Sequence, residues 1–152
     1  RAPQAYCDSQ VNSLGCRSTI SFSGSPSATS GSGFRIDVHP LVSSSFGFLF
    51  YSTGRPFMTP FMGRYICMEP PIRRMRVQPT GGSQVPDCTG SLSVDFNAWI
   101  ASGADPALVA GENACVQAWS RGQRSECRPA ATAEEMAPTE RRPGVRNHDM
   151  AG

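Results

Sequence analysis

The chain contains no lysine, and all 14 of its basic residues are arginine. A GC-rich coding sequence is the plainest cause of that bias. Charge of either sign is scarce, at 17% of residues, and the net charge is only +2. So small a charge argues against nucleic acid as a partner. No stretch approaches the roughly 18 consecutive apolar residues of a spanning helix, so no membrane span is expected. Hydrophobic residues make up 39%, below the roughly 45–50% of ordinary globular chains, so any core is thin.

The catalytic and metal vocabularies are equally sparse. No Cys-x-x-Cys pair is present, which argues against a zinc site. No Gly-x-Ser-x-Gly elbow is present either. The histidines number two, His39 and His148, too few to suggest a His-based nucleophilic site. Asp37 and His39 share one strand face, but two ligands do not complete a metal site, and no Asp-rich loop supports calcium at Asp37, Asp95 or Asp105. No cofactor is expected.

What the chain has is turn residues and cysteines. Gly 15 and Pro 13, with many Ser and Thr, favour short strands and loops over long helices. The six cysteines are Cys7, Cys16, Cys67, Cys88, Cys115 and Cys127. An even number in a loop-rich chain reads as a disulfide framework made outside the cytosol. Six cysteines allow many connectivities; the pairing expected here is Cys7 with Cys16, Cys67 with Cys88 and Cys115 with Cys127. Each bridge would stabilise by about 3 kcal/mol on a chain-entropy basis.

Strand patterns recur at short intervals. Thr19 to Phe22 alternates and ends at Gly24-Ser25-Pro26. Phe34, Ile36 and Val38 alternate with Arg35 and Asp37. Phe46 to Tyr51 is nearly continuous in apolar residues, which predicts a central strand buried on both faces. Tyr65–Met68, Ile72–Val77, Leu92–Phe96 and Cys115–Trp119 complete a set of about seven. Together they predict an all-β, antiparallel β-sandwich or open barrel over residues 1–127. Helix is limited to a turn capped by Asn97 and stopped by Gly103, and a single turn begun by Asp105-Pro106. The Ser/Gly-rich segment Ser23–Ser32 is a flexible loop or an edge hairpin. Gly54–Pro60 and Gln78–Asp87 read as long loops. Residues 128–152 contain no Leu, Ile, Phe, Tyr or Trp, which predicts a disordered or weakly helical tail. No apolar h-region is visible at Arg1 to Tyr6, and the expectation is that an export signal, if there was one, has been removed, or that the chain is a piece of a longer protein.

Three groups of residues are candidates for chemistry. Arg73, Arg74 and Arg76 form the densest positive patch, suited to an acidic polysaccharide or another anion, although strand alternation sets Arg73 opposite Arg74 and Arg76. Phe57, Phe61, Tyr65, Trp99 and Trp119 would stack on sugars if exposed and would be core if not. Asp37, Asp95 and Glu69 are the carboxylates a glycoside hydrolase would draw on. Met58, Met62 and Met68 read as gap-fillers.

Several short pieces appear in a specific order: Tyr6-Cys7, Asn12-Ser13-Leu14-Gly15-Cys16, Ser23-Gly24-Ser25-Pro26, Gly31-Ser32-Gly33-Phe34 and Gly47-Phe48-Leu49-Phe50-Tyr51. Pro60-Phe61, Ile66-Cys67, Pro71-Ile72-Arg73-Arg74, Gly81-Gly82, Asp87-Cys88-Thr89-Gly90, Val94-Asp95-Phe96-Asn97 and Gln117-Ala118-Trp119-Ser120-Arg121 follow. With these pieces the chain, from Tyr6 to about Arg121, resembles a C-terminal β-rich module of unknown function from secreted planctomycete-type bacterial proteins. The resemblance implies an exported β module joined to other domains and supports the pairing of Cys7 with Cys16; it implies no activity. After Arg121 the sequence leaves the family pattern, since no terminal strand follows. Loss of the native C-terminus, through a reading-frame change or a sequencing error near residue 121, is the expected cause. It is tested by translating the source DNA in the other two frames, and absence of a strand-like continuation in both would end the idea.

These readings converge on a noncatalytic extracellular module for attachment, spacing or surface-glycan recognition. Its partners would be an extracellular polysaccharide or other domains of a larger protein. The alternatives are a carboxylate-based secreted hydrolase and a structural or degenerate fragment without a separate function.

Overall fold

The computed structural model describes residues 3–4, 11–12, 14–61 and 64–122. In chain order the elements are β1 (Thr19–Gly24), β2 (Phe34–Leu41), β3 (Phe46–Ser52), β4 (Pro56–Phe61), β5 (Arg64–Met68), β6 (Arg73–Arg74), β7 (Gln78–Pro79), β8 (Gly90–Asp95), α1 (Phe96–Ala101) and β9 (Cys115–Ser120). All strand pairs are antiparallel. The first sheet runs β1-β2-β8. In the second, β3 is central, with β9 on one side and the two-residue strands β6 and β7 on the other. β4 and β5 form a separate hairpin.

Alternation decides which side chains make the core. In the first sheet the register sets Ile20 opposite Val38, Phe22 opposite Ile36, and Leu92 and Val94 opposite Val38 and Ile36. These residues share one face. They pack against Leu49 and Tyr51 of β3, Met75, Leu108 and Phe96 in one buried cluster. Gly47 continues the inner face of β3 because no side chain fits there. A Cβ would lie 2.5 Å from the Trp119 carbonyl and 2.9 Å from Leu92 Cδ1. The sandwich is therefore open, two small sheets with one shared core.

Polar side chains fasten the loops to this core. The Ser/Gly-rich segment joins β1 to β2 and is held by Asn97, which is 1% exposed. Its amide nitrogen donates to the carbonyls of Ser25 and Ser32, both at 3.1 Å, and its oxygen accepts from Ser27 N at 2.8 Å. Asn97 is thus a loop anchor inside α1, and Asp95 is the N-cap, accepting from Ala98 N at 3.0 Å. Phe96, expected to end a strand, opens the helix. Asp105 does begin a single turn, accepting from Ala107 N at 3.0 Å. The long loop before β8 is pinned in the same way. Thr80 Oγ1 donates to Val42 O at 2.7 Å, Ser43 Oγ donates to Val85 O at 2.9 Å, and Ser44 Oγ donates to Ser83 O at 2.8 Å. Ser91 N donates to Thr80 O at 2.8 Å, so this loop also covers part of the edge of β8.

Two sequence expectations are corrected here. The segment Gly54–Pro60, read as a long loop, holds all but the last residue of β4. Proline is tolerated on an edge strand, where its missing N–H faces no partner. The disulfide pairing also differs, because Cys16 is bonded to Cys88, with 5.6 Å between their Cα atoms. Asn12 Oδ1 accepts from Leu14 N and Cys16 N, both at 2.9 Å, and this turn presents Cys16 to the anchored loop rather than to a sequence neighbour. Cys67 is in a disulfide as well, but not with Cys88. Cys115, expected to be bridged, is a buried thiol that donates to the Gly54 carbonyl at 3.6 Å. Cys7, Cys127, Met62, His148 and the expected tail over residues 128–152 lie outside the described residues.

Two outcomes follow. The Cys16–Cys88 bond spans 72 residues, so the double variant Cys16→Ala/Cys88→Ala is expected to lose about 4 kcal/mol of stability, read from urea unfolding without reductant. Asn97→Ala removes three hydrogen bonds and leaves Ser27 N without its acceptor. A loss of about 2–4 kcal/mol is expected, with faster amide exchange confined to residues 25–33.

Candidate recognition surface

The outer faces of the two sheets differ in chemistry. On the first sheet the side chains opposite the core are Thr19, Ser21 and Ser23 of β1, Arg35, Asp37 and His39 of β2, and Ser91, Ser93 and Asp95 of β8. This face is polar throughout. Arg35 lies 3.6 Å from Asp37 and donates to Ser93 Oγ at 2.6 Å.

On the second sheet the outer face of β3 carries Phe46, Phe48 and Phe50, and β9 places Trp119 opposite Phe48 and Gln117 opposite Phe50. The β4–β5 hairpin covers one end of this face. Gln117 acts as a side-chain strand partner for β5: its Oε1 accepts from Cys67 N and its Nε2 donates to Tyr65 O, both at 2.9 Å. Met68, fully buried, fills the space against Phe50 and Cys115.

At the other end of the face five side chains stand in a row. Arg74 lies 5.3 Å from the centroid of Phe48. Phe48 stacks on Trp119 at 5.2 Å and 24°. Trp119 meets Phe46 at 6.0 Å and 46°, and Arg121 lies 5.7 Å from the Phe46 centroid. Phe46 is 39% exposed, and both arginines are exposed. Each aromatic pair contributes about 0.5–1.5 kcal/mol and each exposed cation–π contact about 0.5–1 kcal/mol, so the row is held in place by its own contacts.

β6 divides the arginine cluster as alternation requires. Arg74 sits opposite Phe50 on the outer face, and Arg73 sits opposite Tyr51 on the inner one. Arg73 pairs at 3.5 Å with Asp105, which is 4% exposed. Tyr51 donates to the same carboxylate at 2.8 Å and accepts from the Trp99 indole at 3.1 Å. The Ala107 N–H, the Tyr51 hydroxyl and Arg73 hold Asp105 below the ordinary carboxylate range. Burial, followed by the neighbouring Asp105, pushes the Tyr51 phenol up. Arg76 is exposed beyond the end of β6.

The remaining candidates are scattered. Asp95 is held low by the backbone N–H groups of Gly33 and Ala98, and Glu69 by its hydrogen bonds to Arg55. A general acid needs the opposite shift. His39 is exposed on the polar face, and among the described residues no group of three metal-ligating side chains assembles. Tyr65 is buried, Trp99 packs against the core, and Phe57 is 56% exposed on β4; the side chain of Phe61 lies outside the described part. Phe46 and Phe48 were hidden in the sequence, because a continuous apolar run reads as buried on both sides. The available signal was the pair of arginines, Arg74 and Arg121, that the topology brings to the same face.

One titration reports on the loop beside this surface. The hydroxyls of Thr89, Ser83 and Ser43 hold the Asp87 carboxyl at about 2. A folded value below the unfolded one stabilises the native state at neutral pH, and that contribution is lost as pH falls from about 5 through 2. Asp87→Asn is therefore expected to be less stable than the parent at pH 7, with the difference closing at about pH 2. Urea midpoints measured across that range check it; a constant difference would show that Asp87 ionisation is not involved.

No helix among the described residues is long and apolar enough to cross a membrane. No family model, no curated protein and no solved structure matches this chain.

Proposed function

We propose that this domain is a noncatalytic recognition module of an exported bacterial protein, and that it binds a surface polysaccharide on the outer face of its second sheet. The observation that carries this reading is the row Arg74–Phe48–Trp119–Phe46–Arg121, with Phe46 open to solvent. Phe48 and Trp119 pack, half-buried, against the smaller cluster of Phe50, Met68 and Cys115, and Phe46 is left exposed. A partly exposed aromatic surface is costly in water and is relieved when an apolar partner covers it. Sugar C–H groups supply such a surface, and sugar hydroxyls accept from the guanidinium N–H groups at its ends. The first sheet's outer face lacks aromatic side chains, so the asymmetry singles out one side of the sandwich. The Cys16–Cys88 disulfide accords with an oxidising compartment.

Affinity electrophoresis of the full chain through gels containing a neutral glucan, a xylan, a mannan or polygalacturonate tests the reading. At least one polysaccharide is expected to retard the protein, and Phe46→Ala is expected to weaken that binding about tenfold with little change in melting temperature. No retardation by any of the four would overturn the reading.

A further inference from the structure

We infer that the ligand of this surface is an acidic polysaccharide of the uronate type, its carboxylates held by Arg74 and Arg121; the inference rests on the recognition reading above. A guanidinium over a ring is attracted by the ring face and carries five N–H donors, enough to serve another acceptor as well. Arg74 and Arg121 lie over Phe48 and Phe46, 5.3 and 5.7 Å from the ring centroids.

Neither is neutralised by a carboxylate among the described residues. The acidic side chains of that region are Asp37, Glu69, Asp87, Asp95, Asp105 and Glu112. Asp37 pairs with Arg35, Glu69 with Arg55 and Asp105 with Arg73. Asp95 caps α1, and Asp87 is bound by loop hydroxyls. Glu112 precedes β9 at the end opposite Arg121. Among the described residues this leaves a local excess of positive charge on the face, and Arg76, exposed just beyond β6, adds to it. Aromatic edges, the positive rim of each ring, favour anionic oxygen in the same place.

A row along an open strand face fits an extended chain with an anion on successive sugars. A neutral glycan would leave the guanidinium donors with hydroxyl acceptors only, whereas a carboxylate adds an opposite charge and a bidentate geometry that matches the guanidinium fork.

Titration calorimetry with oligogalacturonate and with its methyl ester separates charge from shape. The acid form is expected to bind about tenfold more tightly than the ester and to weaken in about 0.5 M salt. Arg74→Gln and Arg121→Gln are each expected to narrow the gap between acid and ester, whereas Arg35→Gln, on the other sheet, leaves it unchanged. Equal binding of acid and ester, or tighter binding of a neutral glycan, would overturn the acidic assignment and leave the recognition reading standing. Failure of the acid, the ester and neutral oligosaccharides alike would remove both.

Discussion

Strand β3 must be covered on both faces, and the rest of the structure answers that requirement. Leu49 and Tyr51 are sealed by the first sheet, and Phe50 is sealed on the other side by Met68 of the hairpin. Phe48 packs against the cluster of Phe50 and Met68 but stays half-buried, and Phe46 is exposed. Burying each such ring is worth about 1.5–3 kcal/mol when it is complete, so the uncovered end is a standing cost. Trp119 and two guanidiniums offset part of it. The candidate surface is thus the end of an apolar strand that the described residues leave incompletely covered.

A thin core throws weight onto buried polar groups. Asn97, Thr80, Ser43 and Asp105 each serve several backbone or side-chain partners from a buried position. Such groups stabilise modestly when satisfied and cost more when left unpaired, so they specify loop conformation rather than drive collapse. They explain how a segment as poor in side chains as Ser23–Ser32 takes one path. They also place the Cys16–Cys88 bond, since both cysteines sit on turns fixed by small polar side chains.

Much of the fold was legible because period-two alternation is local. The β2 pattern of Phe34, Ile36 and Val38 identified its inner face, and the division of Arg73 from Arg74 followed from the same rule. Contacts set by topology were not legible. Nothing in the spacing of cysteines tells that residues 16 and 88 meet. Gln117 reads as an ordinary polar strand residue until β5 is placed beside it. The segment Gly54–Pro60 read as a loop; proline is expelled from central strands, and nothing local in the sequence marks this strand as one that tolerates Pro56 and Pro60. The candidate surface failed to appear for the same reason, since its members lie on three strands and the turn after β9.

The absence of lysine bears on that surface directly. A lysine ammonium is compact and strongly hydrated, and it meets a ring as a point charge. A guanidinium is planar and less tightly hydrated, so it can lie over a phenyl ring and still present donors in its own plane. Arg74 and Arg121 therefore do two things with one group, contacting Phe48 and Phe46 and holding positive charge beside them. The compositional bias that looked like a trait of the coding sequence is, at these two positions, a structural condition. With lysine there, the same rings would meet a compact, strongly hydrated point charge, though the net charge of the chain would be unchanged.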